Sequence, residues 1–130
     1  MRVLTFGTYD LLHIGHINII KRAKALGDVL IVGVSSDALN YSKKQIYPVY
    51  NENDRMAIVD SIKYVEEVFL EESLDLKREY ILKYKADILV MGNDWEGKFD
   101  EFADICKVIY LPRTEDISTT EIKDKIKDYL

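Results

Sequence analysis

The chain has 130 residues, 48% hydrophobic and 32% charged, an ordinary soluble composition that fits one folded domain over residues 1–130. Its net charge of −5 argues against general nucleic-acid binding, which needs clustered Lys and Arg, yet allows a local basic pocket for one small anion. No run approaches the roughly 18–20 apolar residues of a membrane span, MRVLTFG is too short for a signal peptide and Cys106 has no partner for an internal disulfide, so a cytoplasmic, reducing setting without membrane insertion is expected.

In chain order, RVLTF reads as a short buried strand and GTYD as the turn after it. HINIIKRAKALG follows with Ile17, Ile20, Ala23 and Leu26 near helical spacing, and Gly27 is expected to stop the helix. DVLIVGVSS is a continuous β-branched run, the signature of a strand buried on both faces. LNYSKKQIYPVYNEND lacks a clear period and contains Pro48, so it is expected as the mobile loop. NENDRMAIVDSIK predicts a helix, YVEEVFL a strand and LDLKREYILKYK another helix. ADILVMG and KVIYLP predict two more strands, with a short helix at KFDEFAD between them. STTEIKDKIKDYL ends the chain as a helix capped by Ser or Thr, with Ile122 and Ile126 on one face. Strand–helix alternation of this kind predicts an α/β fold, a doubly wound parallel sheet of five strands. Ligands in that architecture sit beyond the carboxyl ends of the strands, where GTYDLLHIGH, MGNDWEGKFD and LPRTEDISTT should meet.

Both histidines of the chain, His13 and His16, lie three residues apart at the start of the first predicted helix. On one helix face they would join free N–H groups and the positive end of the helix dipole, a favourable place for phosphate. Imidazole can donate hydrogen bonds to phosphoryl oxygens and carry positive charge near neutral pH, while Gly15 would let a ligand approach the backbone. The same spacing is also met by exposed helix residues or structural caps; a metal pair lacks obvious zinc partners. Lys43 and Lys44 fall in the expected loop, where a solvated pair is the plain alternative. Arg55 could serve a local ion pair with Glu52 or Asp54. Arg113 stands after a buried strand, and Ser118, Thr119 and Thr120 gather at a helix N-terminus, where hydroxyls either cap the helix or grip an anion. Trp95 in the GNDWEGKFD turn either covers the core edge or contacts a ligand, and the acidic residues around it make no recognisable calcium loop.

These motifs together carry a resemblance. GTYDLLHIGH resembles the opening signature of the HxGH nucleotidyltransferase superfamily, and RTEDISTT resembles the RTEGIST motif of its cytidylyltransferase branch. YVEEV is similar to that branch's RYVDEV element, and GNDWEGKFD to a segment of the glycerol-3-phosphate cytidylyltransferases; the likeness runs along essentially the whole chain. It implies a Rossmann-like nucleotidyltransferase fold and a homodimer that makes CDP-alcohols from CTP and a small phospho-alcohol, releasing pyrophosphate. The leading expectation is CDP-glycerol for teichoic-acid or capsule polymers, with Mg²⁺ accompanying CTP and no protein metal cage. Another phospho-alcohol, or a nucleotide-binding regulatory module without turnover, is the alternative. The resemblance implies His13, His16, Lys44 and Arg113 as catalytic. It implies Thr8, Tyr9, Asp10, Gly15, Lys43, Asp94, Thr114, Ile117, Ser118, Thr119 and Thr120 around CTP, and Arg55 and Lys77 at the acceptor. Asp10 is expected to order the first turn, and Ser118 and Thr119 to hold the β- and γ-phosphates. The chain departs from the pattern at Asp116 (usually Gly, and a position Asp can fill in the left-handed region), Glu66 (usually Asp), Lys63 (usually Arg) and Asn93. Leu74 stands where relatives often carry an aromatic associated with the acceptor pocket, and the YPVYNEND loop differs in length.

Overall fold

The computed structural model describes residues 1–115 and 117–130, so the expected left-handed backbone at Asp116 lies outside the described residues. Five parallel strands, β1 (Arg2–Gly7), β2 (Val29–Ser35), β3 (Glu67–Glu71), β4 (Ile88–Gly92) and β5 (Lys107–Leu111), form one sheet in the order β3-β2-β1-β4-β5. The central β1 pairs Val3 with Leu30 of β2 on one side and with Ile88 of β4 on the other. The helices are α1 (Ile14–Ala25), α2 (Asp37–Lys44), α3 (Glu52–Asp60), α4 (Lys77–Lys83) and α5 (Thr119–Lys127).

Side chains of a strand alternate between faces, and the core divides accordingly. Val3, Leu30, Val32, Ile88 and Val90 point to one face and pack with Ile20 and Ala23 of α1 and Val59 of α3. Leu4, Phe6, Ile31, Leu89 and Met91 point to the other, against Phe69, Ile81 of α4 and Phe102. Burial on both faces explains why β2 reads VLIVGVS with no alternation; six of its seven residues are buried. The expected doubly wound parallel sheet is present. Order reverses at β1, so the gap between the carboxyl ends of β1 and β4 is the switch point.

The segment expected as an irregular loop, residues 39–54, begins inside α2, which is capped by the Ser36 side chain on Leu39 N–H and closed by Gln45 at φ 58°. Two turns that bury only Leu39 and Asn40 are too short to print a period on the sequence. LDLKREYILKYK is not one helix: Leu74–Leu76 is a 3₁₀ turn, capped by Ser73, before α4. Gly27 follows the C-cap Leu26 and is required for closeness: a Cβ there would lie 2.6 Å from the Met1 carbonyl oxygen, which accepts from Asp28 N–H at 2.8 Å.

Candidate active site

A cleft of about 450 Å³ opens at the switch point. Its floor is the end of β1 and the turn after it, with the end of β4 beside them; its walls are α2 with residues 46–48 and the start of α5. The turn holds two non-glycine residues in the left-handed region, Tyr9 at φ 55° and Leu11 at φ 49°. Such backbone costs about 1 kcal/mol or more per residue and persists where surrounding contacts over-determine it. Here they do. Tyr9 is buried, and the buried Asp10 carboxylate accepts from the N–H groups of Val49 (2.7 Å) and Tyr50 (3.0 Å). The Asp10 carbonyl accepts from Thr119 Oγ1 at 2.9 Å. Asp10 thus orders more than the first turn: it ties that turn to the α2–α3 connection and to α5.

His13 is not on the helix but is the N-cap of α1, and His16 is its third residue. His13 Nδ1 accepts from Gly15 N–H at 3.0 Å, and His16 Nδ1 accepts from His13 N–H at 3.1 Å, a reciprocal capping box built from two imidazoles. The rings stack at 3.8 Å between centroids. Caps and functional groups are therefore the same residues. With each Nδ1 accepting, a neutral ring carries its proton on Nε2, so the pair offers two Nε2–H donors. Burial, then His13 and the Arg113 cation, push the His16 pKa down to about 4 against the pull of Asp10, so the ability of imidazole to carry charge near neutral pH is not used at His16. Burial and Arg113 lower that of His13. Gly15 also has a firmer reason than ligand approach. A Cβ there would stand 2.8 Å from His13 Cε1 and 3.0 Å from His13 Nδ1, so the capping ring itself occupies the space.

At the opposite wall, Ser118 Oγ caps α5 by accepting from Glu121 N–H at 3.1 Å, leaving its own proton free to donate. Thr119 Oγ1 already donates to Asp10, so its hydroxyl cannot also donate to a phosphate; Thr119 can contribute only its backbone N–H. Thr114 accepts from Asn18 Nδ2 at 2.9 Å. Arg113 and Asp94, both half-exposed, face each other at 3.8 Å, too long and too wet to fix either. Lys44 extends from the last turn of α2 into the cleft.

Of the residues expected around the substrates, the cleft brings together His13, His16, Lys44, Arg113, Thr8, Tyr9, Asp10, Gly15, Asp94, Thr114, Ile117, Ser118, Thr119 and Thr120. Three fall elsewhere. Lys43, adjacent to Lys44, is not part of the cleft wall. Arg55 is fully buried and corrects its expected role: Nε donates to Tyr50 O (3.0 Å), Nη1 to Thr8 O (2.8 Å) and Ser35 O (2.7 Å), and Nη2 to Asp37 (2.7 Å). Its ion-pair partner is Asp37, not Glu52 or Asp54. Four of the five N–H donors of that guanidinium are taken and the side chain is fully buried, so it is a clamp on the strand ends and not a phosphate ligand. Lys77 is likewise buried, 2.5 Å from Glu71 and 4.2 Å above the Phe6 ring, with burial lowering its pKa against the pull of Glu71. It too is committed within the protein.

The cleft also holds Asn40, Tyr47 and Lys123, which sequence reasoning missed. Lys123 lies one turn after Thr119 and Asn40 one turn before Lys44, so both follow once α5 and α2 are aimed at the site. Trp95 lines the cleft and packs on Phe99 at 5.6 Å, so it covers core and faces ligand at once. Leu74 is exposed and not part of the cleft wall. Two Nε2–H donors, three cations (Lys44, Arg113 and Lys123) and a helix N-terminus converging on one cleft suit a polyphosphate.

Comparison with known proteins agrees with this geometry. Residues 4–125 match the cytidylyltransferase-like family. A glycerol-3-phosphate cytidylyltransferase of Bacillus subtilis (strain 168) is 50% identical over 126 residues, 96% of each chain. One of Staphylococcus aureus (strain NCTC 8325 / PS 47) is 48% identical over 96% of this chain and 94% of its own. Among solved structures, a lipopolysaccharide core biosynthesis protein of Thermoplasma volcanium GSS1 superposes with a TM-score of 0.77 at 28% identity, over 88% of this chain and 98% of that one.

Proposed function

The chain belongs to the cytidylyltransferase-like family and is a nucleotidyltransferase, and from that premise we propose that it transfers CMP from CTP to sn-glycerol 3-phosphate, giving CDP-glycerol and pyrophosphate. The observation that carries the reading is the pair of Nε2–H donors facing a cleft whose other wall is a helix N-terminus, in a chain half identical to enzymes of that name.

An oxygen of the acceptor phosphate attacks the α-phosphorus of CTP; the new P–O bond forms as the bond to the β-phosphate oxygen breaks, and pyrophosphate leaves. The nucleophile is already anionic, so no general base is needed. What the protein must supply is position and charge stabilisation in the five-coordinate transition state. His13 and His16 donate Nε2–H to the α-phosphate oxygens, fixed by their own capping bonds and requiring no proton transfer. The N–H groups at the start of α5, the Ser118 hydroxyl and Arg113 receive the β- and γ-phosphates, and Lys44 closes on the triphosphate from α2. Mg²⁺ accompanying CTP as part of the substrate would supply positive charge beside the polyphosphate. No group of three or more metal-ligating side chains exists among the described residues. Asp94 is the cleft carboxylate on hand for it, since Asp10 already accepts two backbone N–H groups.

The product would serve teichoic-acid or capsule synthesis, with the enzyme in the cytoplasm. Among the described residues no helix is long and apolar enough to cross a membrane. A homodimer is supported by exposed apolar side chains near the first and second strand–helix units and outside the cleft wall, Ile14, Tyr41 and Val49. Leu74 does not favour a different phospho-alcohol, because it stands outside the cleft wall. The test is pyrophosphate release with CTP and Mg²⁺ against a panel of phospho-alcohols, with ATP in parallel. Turnover confined to CTP with glycerol 3-phosphate is expected; turnover only with another acceptor moves the function to that acceptor. CTP binding without turnover on any acceptor would leave the regulatory module.

A further inference from the structure

The α2 side of the cleft carries a polar pair that the transfer chemistry leaves unused. Asn40 is 2% exposed, and its Nδ2 donates to the carbonyls of Ser35 (3.2 Å) and Ser36 (2.9 Å). Two carbonyl oxygens can be met only by an NH₂ group, so chemistry fixes which way the amide points, and Oδ1 faces Thr8. Thr8 Oγ1 lies 2.8 Å from that Oδ1, an atom that only accepts. The single hydroxyl proton of Thr8 is therefore directed at Asn40, and Thr8 turns lone pairs to the cleft it lines. A phosphate oxygen, itself an acceptor, gains nothing at such a group. A hydroxyl donor does.

Topology says which substrate brings that hydroxyl. α2 follows β2 and α5 follows β5, strands on opposite sides of β1. In an in-line displacement the nucleophile enters opposite the leaving group. With pyrophosphate leaving toward the N-terminus of α5, the acceptor enters from the side of α2, where Thr8 and Asn40 stand. The geometry points to Asn40 as a positioning residue that holds Thr8 as a hydrogen-bond acceptor for a free hydroxyl of the acceptor alcohol, so that the pair selects polyol phosphates over phosphates of simpler alcohols. This rests on the reaction proposed above.

The test measures kcat and KM at saturating CTP for glycerol 3-phosphate, 3-hydroxypropyl phosphate (no secondary hydroxyl) and 2-hydroxypropyl phosphate (no terminal hydroxyl). The proteins are wild type, Thr8→Val, Thr8→Ser and Asn40→Ala. Loss of one neutral hydrogen bond corresponds to about three- to tenfold in affinity. Wild type should lose that factor in kcat/KM on one of the two analogues. Thr8→Val and Asn40→Ala should raise KM for glycerol 3-phosphate by the same factor and no longer distinguish that analogue, while Thr8→Ser keeps the preference. Asn40→Ala leaves the Ser35 carbonyl bonded to Arg55 and the Ser36 carbonyl bonded to the residue 40 N–H, so the fold is expected to hold. An equal loss on all three acceptors in Thr8→Val overturns the proposal. So does a rise in KM for CTP with none for 2′-deoxy-CTP, which would assign the hydroxyl to ribose. Absence of wild-type turnover with CTP and glycerol 3-phosphate overturns the reaction itself, and is read before any variant.

Discussion

Replacing Gly15 with Ala separates the two things the His-x-Gly-His turn does. The new methyl would stand 2.8 Å from His13 Cε1 and 3.0 Å from Nδ1, with Ile117 Cγ2 at 3.3 Å. Carbon atoms settle at about 3.5–4.0 Å, so the imidazole must retreat by roughly 1 Å. That retreat breaks the bond from Gly15 N–H to His13 Nδ1, a helix cap worth about 1 kcal/mol. Alanine returns about 0.5–1 kcal/mol through its lower backbone entropy, because Gly15 does not use positive φ. Stability should thus change by less than about 1 kcal/mol. Activity should not be spared: a donor misplaced by about 1 Å in a preorganised site costs about a hundredfold in kcat. Urea denaturation and steady-state pyrophosphate release on the same preparation read the two effects. A Gly15→Ala protein with kcat within threefold of wild type would refute the view that His13 is held in place by the glycine.

Arg55→Ala removes the donor to three carbonyls and leaves Asp37 uncompensated, so stability should fall by about 3 kcal/mol or more in urea denaturation. A stable variant with only a raised KM for the acceptor would restore the phosphate-binding role. Lys44→Ala should reduce kcat/KM for CTP by about tenfold or more, and Lys43→Ala by less than threefold; the reverse ranking contradicts the placement of α2. Both histidine pKa values are lower folded than unfolded, so their contribution to stability is complete above about pH 6.5 and is lost as pH falls toward about 4 for His16. The urea midpoint should drop from pH 7 to 5, less so in His16→Gln, and ¹⁵N spectra at pH 6 should show neutral His16 protonated on Nε2. A His16 titration midpoint near 6.5 in the free protein would be inconsistent with that burial.

The sheet was legible because β2 and the strands around it are buried on both faces, which leaves uninterrupted apolar runs bounded by turns. The gathering of GTYDLLHIGH, GNDWEGKFD and LPRTEDISTT followed from one topological rule about strand ends. What stayed hidden depended on where individual side chains point. Arg55 and Lys77 look like free cations in sequence, but their partners Asp37 and Glu71 sit 18 and 6 residues away and meet them only through the fold. α2 was missed because Leu39 and Asn40 give it too little apolar period. Asn40 in turn went unnoticed because its meaning lies in two carbonyls and a hydroxyl supplied by other segments. The capping roles of His13 and Ser118 show why spacing alone could not separate a cap from a ligand: at the first and last helices the same residue can do both.

The measurement closest to the central claim is ³¹P NMR of wild type and His16→Gln mixed with CTP, Mg²⁺ and glycerol 3-phosphate, following CDP-glycerol and pyrophosphate together. Wild type should form both in equal amounts, and the variant, folded by circular dichroism, should do so about a hundredfold or more slowly. Conversion by His16→Gln at the wild-type rate, or no CDP-glycerol from wild type, would contradict the account.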